Sequence, residues 1–110
     1  MKRVYITIAG ANHHHGLDLF EKDMTVRLVK EPDNEYDREA IRVELKGLGC
    51  VGYVANSPYT VLGESMSAGR LYDRIGDKAA ARVLYTLPKG VLCEVEAEDL
   101  LYQPKKRKKG

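Results

Sequence analysis

Short stretches of alternating apolar and polar residues run along most of this chain. Such period-2 alternation is typical of strands that bury one face. It predicts six strands, at residues 3–9, from Met24 to just before Pro32, and at 40–46, 50–55, about 79–87 and about 91–97. Gly52, inside the fourth, indicates a bulge or a close backbone approach. Pro88-Lys89-Gly90 predicts a hairpin turn between the last two.

One helix is predicted after the fourth strand. Ser57 is a good N-cap and Pro58 suits the first helical position, so the helix should run to about Ser67 and stop at Gly69. The segment RLYDRIGDK could hold a further helical turn. The order β, β, β, β, α, β, β predicts a mainly β (α+β) fold with one or two short helices, built as a small antiparallel barrel or strongly curved sheet.

Length and composition indicate one domain of ordinary core size. The chain has 110 residues, of which 44% are hydrophobic. It has no apolar run long enough to span a membrane, and the alternation near its N-terminus argues against a signal peptide, so we expect a cytoplasmic protein. Cys50 and Cys93 lie in strand-like apolar segments without a CxxC partner and are predicted to be reduced core residues.

The charge of the chain is unevenly distributed. The net charge is +2, but the terminal KKRKKG carries five of the eighteen basic residues, and the rest keeps 13 basic and 16 acidic residues, near −3. A body with that balance cannot attract nucleic acid by bulk charge, so it would need a local basic groove or the tail. We predict a folded domain over 1–102 and a disordered basic tail over 103–110.

No catalytic motif is present, so we expect neither an enzyme nor a cofactor. The segment His13-His14-His15 suggests a metal, but only alternate residues of an extended loop share a face, which leaves two ligands where a site needs three or four. A solvated loop is the plain interpretation. Contact of one imidazole with a ligand, and a metal-dependent hydrolase, are the alternatives.

Tyr36-Asp37 is the pair that turn chemistry explains least. An exposed turn residue followed by a capping aspartate is the structural interpretation. The functional one is a ring that stacks on a base, beside a carboxylate that accepts a hydrogen bond from a hydroxyl. Because a carboxylate repels phosphate, this pairing suits a ligand that presents a hydroxyl and lacks the next phosphate, such as the 3′ end of a strand.

The stretch LVKEPDNEYDREAIRVEL, followed by VGYVAN and preceded by the strand-plus-glycine VYITIAG, resembles the HIRAN domain. That domain occurs at the N-terminus of the helicase-like transcription factor and in stand-alone bacterial proteins. The resemblance covers about residues 3–97. It implies an OB-like barrel that binds single-stranded DNA at its 3′-hydroxyl end, with partners among DNA-repair or replication proteins.

The resemblance also implies roles for individual residues. Tyr36 would stack on the terminal base, and Asp37 would accept from the 3′-hydroxyl. Asn34 and Asp33 would line the same turn. Tyr53 and Asn56 stand where eukaryotic members have a histidine and a lysine that contact the terminal nucleotides, and Asn12-His13 replaces an Arg-Tyr pair. Two lost cations predict weaker affinity, to which the tail residues Lys105, Lys106 and Arg107 would add a contribution independent of sequence.

Three functions therefore stay open from the sequence. The first is a single-strand nucleic-acid-binding module that recognises strand ends. The second is an interaction module that keeps the barrel but binds a protein or a small ligand. The third is the metal-dependent hydrolase. Neither the choice between DNA and RNA nor the oligomeric state follows from the sequence.

Overall fold

Six antiparallel strands close into a barrel in the computed structural model, which describes residues 3–11 and 16–101. The strands are β1 (Tyr5–Ala9), β2 (Thr25–Lys30), β3 (Ile41–Leu45), β4 (Gly49–Val54), β5 (Lys78–Leu87) and β6 (Gly90–Val95). Their order around the barrel is β1-β4-β3-β2-β5-β6. The helix α1 (Ala68–Tyr72) and two single 3₁₀ turns, Leu17–Leu19 and Ala97–Asp99, complete the elements. The predicted mainly β fold class is confirmed.

The inward residues of the strands fill the barrel. Alternate positions are buried along β2, β3, the first part of β5 and most of β6, as the period-2 pattern predicts. In β1, Thr7 is buried together with Ile6 and Ile8. The largest fully buried side chains are Ile6, Ile8, Leu28, Ile41, Leu71, Ile75, Val26, Val43, Val51, Val83, Val91 and Val95. Each such side chain contributes about 1.5–3 kcal/mol through removal of its surface from water. The hydrophobic alternation therefore decides both the strand positions and which face of each strand points outward.

At Gly52 the backbone of β4 passes close to β1. Its backbone is so near that a Cβ would lie 2.7 Å from Cγ2 of Ile8 and 2.9 Å from the carbonyl oxygen of Ala9. The β3–β4 pairing also shifts register here, because Val43 pairs with Gly52 whereas Glu44 pairs with Cys50. Both features predicted for this glycine, a bulge and a close approach, are therefore present.

The predicted helix from Ser57 to Ser67 is wrong. Ser57 starts only one turn, whose amides at Thr60 and Val61 donate to its carbonyl oxygen. The residues that follow pack against β1. The amide of Leu62 donates to Oγ1 of Thr7, and Met66 forms an isolated β-bridge with Ile6. These contacts with a strand outweigh the local helix signal. The helix begins later.

The helix α1 starts where the sequence signal was weaker. Ser67 is its N-cap, and its hydroxyl accepts from the amide of Arg70. Gly69, predicted as a C-terminal stop, lies inside this helix. The first three residues of RLYDRIGDK thus belong to α1, which agrees with the helical turn allowed there.

Cys93 is buried in the core as predicted, whereas Cys50 is only half-buried. Neither thiol takes part in a disulfide bond, and burial raises the pKa of Cys93 to about 12. Across residues 3–11 and 16–101, no helix is long and apolar enough to cross a membrane. The predicted domain limit at residue 102 and the basic tail fall outside the described residues.

The substitution Gly52→Ala should destabilise the barrel by about 1–3 kcal/mol, because the added methyl group overlaps a neighbouring strand. Urea denaturation of wild type and variant measures the change in unfolding free energy. Gly76→Ala is the matched control, since no atom lies within 4 Å of the added carbon there. Equal stability of the two variants would contradict the close approach.

Candidate functional site

The segment from Glu31 to Ala40 joins β2 to β3 as two successive β-turns, and we call it the Tyr36 turn. The amide of Asn34 donates to the carbonyl oxygen of Glu31 at 3.0 Å, with Pro32 in the position that proline favours. The amide of Ala40 donates to the carbonyl oxygen of Asp37 at 3.1 Å. Each turn thus closes on a backbone bond, and the pair fixes the path of the loop.

The side chain of Asn34 organises the stretch between these two turns. Its Oδ1 accepts from the amides of Tyr36 at 2.8 Å and Asp37 at 3.0 Å. Its Nδ2 donates to Oε1 of Glu31 at 3.0 Å. The Tyr36 backbone is held in place, yet 94% of the residue's surface is exposed. An aromatic ring is therefore presented to solvent from a fixed backbone.

Asp37 joins the Tyr36 turn to α1. Its Oδ1 accepts from the amide of Glu39 at 2.9 Å, and its Oδ2 accepts from Nδ2 of Asn56 at 2.8 Å. The Oδ1 of Asn56 in turn accepts from the amide of Gly69 at 2.8 Å. A Cβ at Gly69 would lie 2.6 Å from Oε1 of Glu39, so the exposed Glu39 side chain would have to move to accommodate it. We call the hydrogen bonds from Asp37 through Asn56 to Gly69 the bridge, and it joins three segments that are separate in sequence.

An ionic network lies on the barrel wall beside the Tyr36 turn. Tyr53 donates its hydroxyl to both oxygens of Glu31, at 3.0 and 3.2 Å. Arg42 donates from Nη1 to Glu31 at 2.6 Å and from Nε to Glu44 at 2.7 Å. Glu31 therefore receives bonds from three side chains, counting Asn34. It anchors the turn to β3 and β4.

This network shifts the pKa of its members. Burial by itself would raise the pKa of Glu31, but the bonds from Asn34, Tyr53 and Arg42, with the charge of Arg42, lower it below its usual value of 4.5. Burial and the neighbouring carboxylate raise the pKa of Tyr53 to about 12. Around neutral pH, Glu31 is an anion and Tyr53 a neutral donor.

The structure brings several of the predicted site residues together. Asn34, Asp37 and Asn56 form one connected set of hydrogen bonds. Asp33 is exposed in the same turn. Tyr53 is half-buried on β4, and its hydroxyl is directed at Glu31. Tyr53 is thus connected to the Tyr36 turn through Glu31.

The remaining predicted residues lie outside the described part of the chain. They are Asn12 and His13, with the histidine loop that continues to His15, and Lys105, Lys106 and Arg107 in the basic tail. Among the residues that are described, no group of His, Cys, Asp and Glu side chains could hold a metal ion. Both the histidine-loop hypotheses and the tail hypothesis stay predictions.

Three exposed residues near the bridge were not predicted. Tyr59 is 94% exposed in the turn that begins at Ser57, directly after Asn56. Arg38 follows Asp37, and Arg70 follows Gly69, so a cation adjoins each end of the bridge. An aromatic residue directly after the turn signal Asn-Ser-Pro could have indicated Tyr59. Arg70 carries no such local signal, because only the fold brings it to the site.

Stability that depends on Glu31 should be lost in acid. A folded-state pKa below 4.5 means that the carboxylate contributes stability above about pH 4.5, and that this contribution fades as pH falls through the folded pKa. Urea denaturation at several pH values should show Glu31→Gln less stable than wild type at neutral pH, with the difference shrinking in acid. Glu21→Gln removes an exposed carboxylate outside the network and controls for charge. A difference that does not change with pH would contradict the network.

Comparisons with known proteins place the chain in a family. The sequence model described as "HIRAN domain" matches residues 1–86. The fold is similar to the crystal structure of a protein from Lactobacillus plantarum (TM-score 0.57, 21% identity, 86% of this chain and 93% of that one). It is also similar to the HIRAN domain of human HLTF (TM-score 0.56, 17% identity, 88% and 78%). No curated protein sequence matches the chain significantly. The chain belongs to the HIRAN domain family, which is known as a family of nucleic-acid-binding modules rather than enzymes.

Proposed function

We propose that this protein is a non-catalytic module that binds single-stranded DNA by stacking a base on Tyr36. The observation that carries the proposal is a tyrosine with 94% of its residue surface exposed, on a backbone held by Asn34. An aromatic ring so exposed gains nothing from the core. Stacking on a base is worth about 1–3 kcal/mol and tolerates any sequence. The fixed backbone reduces the entropy lost when the base binds.

We further propose that Asp37 recognises the 3′-hydroxyl of the strand. Each of its oxygens accepts one hydrogen bond from the protein. A carboxylate offers about four acceptor sites, so capacity for a ligand hydroxyl is left. The Tyr36 turn holds five acidic residues and one arginine, Arg38. That excess of negative charge disfavours a terminal phosphate and favours a terminal hydroxyl.

Asn56 and Tyr53 support this site in different ways. Asn56 holds Asp37 through Nδ2 and can approach the ligand from an exposed position. Tyr53 would act as a positioning residue, because its hydroxyl donates to the carboxylate of Glu31, which also accepts a hydrogen bond from Asn34. Tyr59 offers a second exposed ring for a neighbouring base. Arg38 and Arg70 would supply cations at positions other than those lost in the sequence pattern.

Fluorescence anisotropy with a short labelled single strand tests the stacking. Tyr36→Ala should weaken binding by about 5- to 150-fold, which corresponds to the loss of one stacked base. Tyr85→Ala is the matched control, because it removes another exposed tyrosine, on β5 and 60% exposed. Equal losses in both variants would contradict a specific platform at Tyr36. Absence of binding in wild type at low salt would favour a protein-binding or small-ligand-binding module.

Strand-end recognition is tested by comparing a free 3′-hydroxyl with a 3′-phosphate on the same strand. Wild type should bind the free hydroxyl more tightly, and Asp37→Ala should lose that preference, because the acceptor and its charge are gone. Circular dichroism confirms that the variant is folded. Deleting residues 105–110 should lower the affinity for both ends by the same factor. If wild type binds both ends equally, the end-recognition proposal is wrong and only generic single-strand binding is left.

A further inference from the structure

An open groove of about 480 Å³ lies on the outer wall of the barrel, where β2, β3 and β5 run side by side. Three basic side chains, those of Arg27, Lys46 and Lys78, line it. We call it the basic groove. Arg27, on the central strand β2, is paired with Glu44 on β3 and with Ala80 on β5, so it lies near the middle of the groove. The function proposed above makes no use of this groove.

The basic side chains of the groove are not neutralised within the fold. In the described part of the chain, those of Arg27, Lys46 and Lys78 form no hydrogen bond or ion pair. By contrast, two other arginines on the barrel wall each bind two carboxylates: Arg42 binds Glu31 and Glu44, and Arg82 binds Asp23 and Glu94. The groove thus keeps a positive charge that the neighbouring surface has cancelled.

Two carboxylates, those of Glu44 and Asp99, also line the groove, and each accepts a hydrogen bond from elsewhere in the fold. Glu44 accepts from Nε of Arg42 at 2.7 Å. Asp99 accepts from the amide of Ala80 at 2.8 Å. Both keep their charge and further acceptor capacity, so the lining holds three basic and two acidic side chains, an excess of one positive charge. Ala79 and Ala80 add only small side chains to the lining. The three basic side chains outnumber the two acidic ones and have no carboxylate bound to them in the described part of the chain, so this arrangement favours an anionic ligand.

The basic groove and the Tyr36 turn are connected by one hairpin and one hydrogen-bond network. Both lie on the β2–β3 hairpin, and the network from Asn34 through Glu31 and Arg42 reaches Glu44, which faces Arg27. Arg27 precedes Glu31 by four positions, a distance of about 13 Å along a strand. Stacked nucleotides advance by about 3.4 Å each, so a strand needs about four of them to pass from Arg27 to the start of the turn at Glu31, and more to reach Tyr36.

We infer that the basic groove binds the phosphates of a single strand whose terminal base lies on Tyr36. This inference rests on the proposed function and adds a second contact region to it. The acidic turn would receive the terminus, where no phosphate follows, and the groove would receive the phosphates about four or more nucleotides upstream. It also provides the local basic surface that a body of net charge near −3 requires.

The test uses full-length protein and two labelled strands with free 3′-hydroxyls, of about three and about twelve nucleotides. The variant Arg27→Gln, Lys46→Gln, Lys78→Gln should bind the long strand about tenfold or more weakly at low salt. The slope of log affinity against log salt concentration should become smaller in magnitude by about 2, because three phosphate contacts are lost at about 0.7 each. Affinity for the short strand should stay unchanged, because that strand cannot reach the groove.

The matched control removes the same charge elsewhere, as Lys22→Gln, Arg74→Gln, Lys89→Gln at three exposed positions. An equal loss of long-strand affinity in the control variant would overturn the inference. An unchanged salt slope in the groove variant would also overturn it and would instead favour an acidic protein surface as the ligand of the groove. Failure of the end-binding proposal gives a different result. In that case Tyr36→Ala leaves short-strand binding unchanged while the groove variant still weakens the long strand.

Discussion

The side chain of Asn34 is the contact on which the candidate site depends. One amide group fixes two successive backbone amides, at Tyr36 and Asp37, and also reaches the carboxylate of Glu31. That carboxylate is itself held by Tyr53 and Arg42 on the barrel wall. The backbone that carries the exposed ring is thus held to the barrel through a chain of hydrogen bonds. Sites supported by rigid elements hold their geometry more precisely than sites on unsupported loops.

The charges of the protein follow a pattern that the net charge hides. Acidic residues concentrate in the Tyr36 turn, whereas unpaired basic side chains gather in the basic groove on the same hairpin. Under the proposed function, this separation would orient a strand, because its phosphates and its phosphate-free terminus favour opposite ends of the surface. Stacking would supply affinity, and charge would supply direction.

The sequence predicted the barrel well because hydrophobic alternation decides it. All six strands lie where apolar residues alternate, and Gly52 marks both the bulge and the close approach. The prediction of a helix after Ser57 was wrong because the local capping signal carries no information about Thr7, which is distant in sequence. The hydroxyl of Thr7 accepts a hydrogen bond from the amide of Leu62 and so holds that segment against β1. Local propensity is a weak prior when tertiary contacts compete with it.

The site was predicted in part for the same reason. The turn chemistry and the Tyr36-Asp37 pair are local, so the sequence revealed them. The hydrogen bonds from Tyr53 and Arg42 to Glu31, and the approach of Gly69 to Asn56, join segments far apart in sequence and follow only from the fold. The same holds for the basic groove, whose three basic residues come from the barrel's β2–β3–β5 wall.

The central claim is that a pre-formed Tyr36 turn receives a strand end, and two-dimensional ¹H–¹⁵N NMR tests it most directly. Titration with a short strand bearing a free 3′-hydroxyl should shift the amides of residues 34–39, Asn56 and Gly69 most strongly. The amide signals of core residues in β1 and β6 should not shift, because binding at the site needs no rearrangement of the barrel. Shifts confined to other surfaces, with those of the Tyr36 turn unchanged, would contradict the account.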